Sequence, residues 1–185
     1  VRAFGASSKE VGAAMQSLFA TTTDFTMMSR QARDEMVRNS AALAALGVSN
    51  EDFARGSQIA IKAMGQTGTQ AATTQREIAA LAMDIGVAPQ QMAADFATAG
   101  PQLAKFGSDG VRAFKDLAIA AKVTGIEVGR LLSITEKFDT FEGAATAAGK
   151  LNAALGGNFV NAMELVTATD PVERMKMIRN SILDA

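Results

Sequence analysis

The stretch "LGVSNEDF" at residues 46–53 carries the signals that decide how this chain folds. Leu46 ends an apolar run and Gly47 interrupts it, as a glycine does at the end of a helix. Ser49 or Asn50 then caps a new helix whose first turn holds two acidic residues. This pattern predicts a helix end followed at once by a helix start, and three related stretches are "FGASSKEV" (4–11), "IGVAPQQM" (85–92) and "TGIEVGRL" (124–131).

These joints recur with a regular spacing. Gly47 and Gly86 are 39 residues apart, Gly86 and Gly125 are again 39 residues apart, and Gly5 precedes Gly47 by 42 residues. Other positions keep the same phase: Val48, Val87 and Ile126 after the glycines, Phe53, Met92 and Leu131 six residues after them, Ile78 with Leu117, and Gly68 with Gly107. The spacing predicts helix-turn-helix units in which each glycine adopts the left-handed conformation.

Helical periodicity and helix-forming residues extend along almost the whole chain, and no stretch alternates in the manner of a strand. We therefore predict an all-α fold of helical hairpin repeats of about 39 residues, joined by Gly-capped turns and elongated or self-associating. The sequence divides into N-terminal helices (1–46), helix-turn-helix repeats (47–139) and an Ala/Gly-rich helical segment (140–185). The predicted helices span 24–46, 50–64, 70–85, 89–99, 109–124, 127–139, 143–155, 158–167 and 171–184.

Two of these helices have well-defined predicted faces. The helix at 24–46 follows the cap residues of "TTTD" and has an apolar stripe of Phe25, Met28, Ala32, Met36, Leu43 and Leu46. The last helix begins with Asp170 as its cap, Pro171 and Glu173. Its predicted inward face consists of Val172, Met175, Ile178 and Ile182.

The methionines favour core positions over a binding groove, since Met fills irregular gaps between helices. The residues interpreted in this way are Met15, Met28, Met36, Met64, Met83, Met92 and Met163. The scattered Lys and Arg residues are expected on solvated helix faces.

Composition excludes several kinds of chemistry. The 18 Lys and Arg residues nearly balance the 19 Asp and Glu residues without forming blocks, which argues against a main task of neutralising nucleic-acid phosphates. The chain has no Cys and no His, so it has no disulfide, no thiolate zinc site and no cysteine nucleophile, and the commonest general base is missing. No apolar run approaches the length of a membrane span.

The remaining candidate motifs have structural interpretations. "GQTGT" (65–69) lacks the Lys and Ser/Thr of a phosphate-binding loop and is interpreted as a connection between helices, and "LGGN" (155–158) as a helix terminator. The pairs Asp34–Glu35 and Glu51–Asp52 are adjacent on a helix, so their carboxylates diverge. We predict no catalytic, cofactor-binding or metal-binding residue and no enzymatic activity. The first residue, Val1, and the abrupt "MIRNSILDA" end favour a segment of a longer protein over a mature chain with trimmed ends.

Three features together resemble phage tail tape measure proteins. They are the joints "AALGVSNEDF", "DIGVAPQQM" and "VTGIEVGRL" within Ala-rich helices, the run "KFDTFEGAATAAGKLNAALGGNFVNAMELVTATDP" (137–171), and the "VERMKMIRNSI" helix that follows. The resemblance covers about residues 40 to 184 and implies a virion structural protein that sets the length of the tail tube during assembly.

The same resemblance implies partners and a location. The partners are further copies of the chain, the tail tube, and the baseplate or tail-tip hub, with transient proximity to DNA. The location is the tail lumen or baseplate of the virion, and the host cytoplasm during assembly. Two alternatives remain open from the residues: a helical repeat adaptor or secretion-associated protein-binding module, and an all-α enzyme or lytic module.

Overall fold

A computed structural model describes residues 7–185, and this range contains helices and connecting turns without any strand. The predicted all-α class is confirmed. The α-helices are α1 (Ser8–Thr21), α2 (Arg30–Ala44), α3 (Asn50–Lys62), α4 (Gly68–Asp84), α5 (Pro89–Leu103), α6 (Gly110–Thr124), α7 (Val128–Glu136), α8 (Phe141–Leu155), α9 (Ala162–Thr167) and α10 (Pro171–Leu183). Short 3₁₀ helices lie at Phe25–Met27 and Ala104–Asp109.

The chain divides into two compact units, and the boundary falls after Lys115, within α6. Each unit is described by itself. The predicted division into 1–46, 47–139 and 140–185 stays a prediction.

Helices of the first unit pack against their next-but-one neighbours as well as against their sequence neighbours. α1 packs on α3, α2 on α4, and α3 on α5. The α2–α3 hairpin therefore stacks on the α4–α5 hairpin, as in proteins built from helical repeats. Its buried core includes the fully enclosed Leu18, Met36 and Phe53. The 39-residue repeat itself stays a prediction.

Two glycine joints of the first unit share one hydrogen-bond pattern. Gly47 and Gly86 have positive φ angles of 87° and 67°. The amide of Val48 donates to the carbonyl of Leu43 at 3.1 Å, and the amide of Val87 to that of Ala82 at 2.7 Å. Both glycines also donate to the carbonyl three residues earlier, which completes a Schellman motif at each joint.

The third joint ends its helix differently. Gly125 has a φ of 71°, and its own amide donates to the carbonyl of Ala121 at 2.8 Å. This single bond is the simpler left-handed cap. The fourth joint depends on Gly5, which lies outside the described residues.

The predicted helix at 24–46 is wrong in its first turns. A 3₁₀ turn at Phe25–Met27 precedes a separate N-cap, Ser29, whose hydroxyl accepts the amide of Ala32 at 3.1 Å. Two tertiary contacts hold the preceding chain: the amide of Thr23 donates to Gln58, and Asp24 pairs with Lys62. The "TTTD" run therefore makes side-chain contacts to α3 and does not cap α2.

Other predicted boundaries shift where local contacts compete with periodicity. α5 continues past Gly100 and Pro101, because the fully buried Leu103 anchors its last turn. α9 begins only at Ala162, since Asn161 caps it. The pairing of Gly68 with Gly107 does not reflect a shared conformation: Gly68 begins α4, whereas Gly107 has a φ of 52°.

Several predicted core residues lie at the surface. Leu46, which closes the predicted stripe, is exposed, as are Met15, Met83 and Met163. The predicted inward face of α10 is wrong as well, because Ile182 is exposed and the buried positions are Pro171 and Arg174. Arg174 also contradicts the expectation that every Arg lies on a solvated face.

The second unit has a smaller core of its own. Phe138, Ala144, Ala148, Val160 and Leu165 form its buried centre. α8 contributes only alanines to this centre, which lets α9 approach it closely. The "LGGN" terminator is confirmed, since Gly156 caps α8 with a φ of 77°.

Candidate functional site

The acidic pair of the opening stretch serves its own helix. Ser49 is the N-cap of α3, and its hydroxyl accepts the amide of Asp52 at 2.9 Å and donates to the carboxylate of Asp52 at 2.7 Å. Arg55 lies 3.0 Å from Glu51, one turn along. Both carboxylates are thus placed at the positive end of a helix, as the sequence predicts.

The "GQTGT" run also belongs to a helix start. Gly65 has a φ of 69°, and Thr67 forms a capping box with Gln70 at the beginning of α4. The amide of Thr67 donates to Gln70 at 2.8 Å, and the amide of Gln70 donates to Thr67 at 3.3 Å. The loop uses its backbone groups to begin α4.

Ionisable groups show little sign of a reactive site. Within residues 7–185 no three metal-ligating side chains converge, and no helix in that range is long and apolar enough to cross a membrane. The pKa of Glu10 lies below the ordinary glutamate value, because its carboxylate accepts the Ser7 amide and the Ser7 hydroxyl interacts with it. Glu10 is the N3 residue of the α1 capping box, so this shift has a structural origin.

An apolar groove of about 320 Å³ lies in the first unit between α1, α3 and α5. Its floor exists because α5 presents small residues: the Ile59 side chain of α3 occupies the space that a Cβ on Gly100 would need. Basic residues stand at the rim. The groove is lined by Thr21, Arg55, Gln58, Ile59, Lys62, Ala63, Ala97, Gly100, Pro101 and Ala104.

Polar pairs hold the rim of this groove in place. The Gln58 amide group accepts the Thr23 backbone amide at 3.1 Å and donates to the Thr23 hydroxyl at 2.9 Å. Lys62 pairs with Asp24, four residues along α3 from Gln58. The turn between α1 and α2 is therefore tied to the wall of the groove.

The second unit is organised around a buried arginine. Arg174 donates through Nε to the carbonyls of Leu165 (2.9 Å) and Ala168 (2.5 Å), and through Nη1 to the carbonyl of Thr135 (2.9 Å). It also pairs with Asp139. Since these carbonyls lie at the C-terminal ends of α7 and α9, the cation meets the negative ends of two helices.

Asn152 makes a second tie in this unit. Its side chain donates to the carbonyl of Val160 at 2.9 Å and accepts the Val160 amide at 2.7 Å. The amide of Asn152 thus pairs with the loop as a neighbouring strand would, and it fixes the loop between α8 and α9.

A polar cavity of about 630 Å³ lies beside the start of α8. Gly143 is needed here, because a Cβ at this position would collide with the carbonyl oxygen of Lys137. Charges of both signs line the cavity, so it has no single ionic preference. The lining residues are Glu136, Lys137, Thr140, Glu142, Gly143, Thr146, Ala147, Lys150 and Leu151.

Sequence reasoning missed Arg174 because it counted only apolar residues on α10. The buried positions Pro171 and Arg174 are three residues apart, so they share a helix face that excludes Ile182. A face that begins at the helix-start proline identifies this arginine as inward. Its four acceptors come from distant positions, and nothing in the local sequence indicates them.

No protein-family model, curated protein or solved structure matches this chain.

Proposed function

We propose that this chain is a structural segment of a tape measure protein in a tailed-phage virion. The observation that carries the proposal is the stacking of the α2–α3 hairpin on the α4–α5 hairpin, with a Schellman glycine at each turn. Such units add length by repetition and need no reactive group. The run 137–182, on which the resemblance mainly depends, forms helices that Arg174 ties together.

In this role the chain contributes length and contacts. Its partners are other copies of itself within the tail, the tail tube, and the baseplate or tail-tip hub, and DNA passes close to it. The segment occupies the tail lumen or baseplate of the virion and is in the host cytoplasm during assembly.

An in-phase deletion tests the proposal in the phage whose genome encodes this chain. Removing residues 48–86 joins Gly47 directly to Val87, so the Gly-Val joint is preserved. A helical stretch of this length spans about 58 Å at 1.5 Å per residue. Electron microscopy is expected to show tails shorter by roughly that amount, and duplication of the same residues is expected to lengthen them.

A substituted segment separates length from sequence. Replacing residues 48–86 with an unrelated helical segment of equal length should restore the normal tail length. Tails of unchanged length in the deletion variant would contradict the proposal.

The groove of the first unit favours one alternative, a helical repeat adaptor or secretion-associated module that binds a protein partner. Its apolar floor at Ile59 and basic rim at Arg55 and Lys62 suit a short apolar segment with acidic flanks. The full-length gene distinguishes the two functions. A product of many hundreds of residues with further helical repeats supports the tape measure role, and a complete product near 185 residues supports the adaptor.

A further inference from the structure

The outer face of α1 exposes two large apolar side chains. Met15 is 50% exposed and Phe19 is 66% exposed, and their spacing of four residues puts them on one face. The opposite face of α1 is fully buried at Ala14 and Leu18. The helix is therefore apolar on two sides, and only one of them packs within the first unit.

Equivalent positions on α5 show what this outer face is built to contact. Counted from the N-caps Ser7 and Ala88, Met15 corresponds to Phe96 and Phe19 corresponds to Gly100. Phe96 and Gly100 both face α3, since the Phe96 ring lies against Gly56 and the Ile59 side chain lies against Gly100. In the stack, these positions thus receive the next-but-one helix, and on α1 they are open.

Gly12 adds a second observation on the same face. It lies inside α1, is exposed, and a Cβ built on it meets no atom within 4 Å. A glycine inside a helix costs about 0.5–1 kcal/mol relative to alanine. Nothing in the first unit requires the missing side chain, so a close approach from outside accounts for it.

The stripe is complementary to itself. Ser8 and Gly12 are small, whereas Met15 and Phe19 are large. When two α1 helices run antiparallel about a two-fold axis, Gly12 faces Met15 of the second copy and Ser8 faces its Phe19. Each bulky side chain then enters the space left by a small residue, as a two-fold interface requires.

Charge supports the same arrangement. α1 has no basic residue in its last turn, so its own side chains leave the negative helix end uncompensated. The antiparallel pairing brings Lys9 of each copy to the C-terminal end of the other helix. We propose that two copies of this chain associate through the Ser8–Gly12–Met15–Phe19 stripe of α1. The proposal rests on the self-association included in the proposed function and names the surface that performs it.

Sedimentation of the whole chain over about 10 µM to about 1 mM tests the association, since a single helix face per copy gives a small interface of modest affinity. We expect a concentration-dependent dimer and at least a tenfold weaker association for Phe19→Gln. Phe141→Gln is the matched control, because Phe141 is a similarly exposed phenylalanine of the second unit. A monomer at every concentration, or equal weakening by both variants, overturns the proposal.

Disulfide trapping tests the geometry without background, since the chain has no cysteine. A mixture of Gly12→Cys and Met15→Cys chains should form a disulfide-linked heterodimer, and Gly12→Cys alone should cross-link weakly. Efficient cross-linking of Gly12→Cys with itself would indicate parallel helices and refute the pairing. Circular dichroism checks that each variant retains its helices. The tail-length experiment does not depend on this result, so the two proposals can fail separately.

Discussion

The two units are both helical, yet different interactions hold them together. In the first unit, α2 to α5 are 13–17 residues long and stack through apolar side chains such as Met36 and Phe53. In the second unit, α7 and α9 have only 9 and 6 residues, and side-chain bonds to the backbone join them. A short helix has a high proportion of unpaired terminal carbonyls, so it needs donors from elsewhere.

Buried polar groups show the same contrast. Among the described residues, the side-chain oxygen and nitrogen of Gln75 and the hydroxyl of Ser57 are buried without hydrogen-bond partners in the first unit. Arg174, which is equally buried, makes four polar contacts in the second. We infer that the first unit tolerates polar groups in its core, whereas the second depends on one.

Arg174→Met should have the largest effect. The substitution removes the donor to three carbonyls and leaves Asp139 without its partner. Breaking a buried ion pair on one side costs about 3–5 kcal/mol. Hydrogen exchange is expected to show lost protection in α7 to α10, with α2 to α5 still protected.

Arg179→Met is the matched control for this experiment, because Arg179 lies on the same helix and is exposed. It should change stability by less than about 0.5 kcal/mol. Equal protection in the Arg174 and Arg179 variants would refute the dependence of the second unit on a single polar residue.

The Schellman joints of the first unit are the next place to break the comparison. Gly86→Val puts a β-branched residue at a φ of 67°, which should cost on the order of 1–2 kcal/mol. Gly86→Asn should cost clearly less, because asparagine tolerates this conformation. Urea unfolding measures both, and equal midpoints would contradict the cap assignment. Gly65→Ala is not a neutral control, since Gly65 also has a positive φ, of 69°.

These joints show how much of the fold the sequence predicts. Gly47 and Ser49 are local signals, since a glycine cap and a serine cap depend on residues within one turn. The helical class and most helix starts follow from such signals. The break before Ser29 does not, because it depends on contacts from Thr23 and Asp24 to α3. Those contacts join residues about 35 positions apart and leave no periodic trace.

The candidate surfaces divide in the same way. Glu51 and Asp52 are assigned correctly from sequence, because helix geometry alone separates adjacent carboxylates. The groove at Ile59 depends on Gly100, forty-one residues away, and the role of Arg174 depends on three carbonyls of other segments. Backbone acceptors have no residue identity, so a sequence cannot reveal that a particular carbonyl awaits a donor.

Gln75→Met sharpens the comparison in the opposite direction. Methionine has a similar length without the unpaired amide, and removing a buried unsatisfied polar group should stabilise the first unit by about 1 kcal/mol. Met36, which lies 39 residues earlier, is already fully buried. Thermal unfolding should give a higher Tm for Gln75→Met and no change for Gln91→Met, whose position is exposed. A lower Tm for the Gln75 variant would show that the amide has a partner.

The smallest expected effect concerns pH and the first turn of α1. Bonding to Ser7 lowers the folded-state pKa of Glu10, so this group stabilises the fold above the ordinary glutamate pKa of about 4.3. That contribution is lost as the pH falls through the lowered pKa of the folded state. Amide exchange at Ser7 should therefore quicken on acidification relative to Thr67, whose capping box uses the uncharged Gln70. Glu10→Gln should remove the difference, because it makes the two capping boxes chemically alike. If both amides respond equally to acid in the unmodified chain, the carboxylate does not control the start of α1.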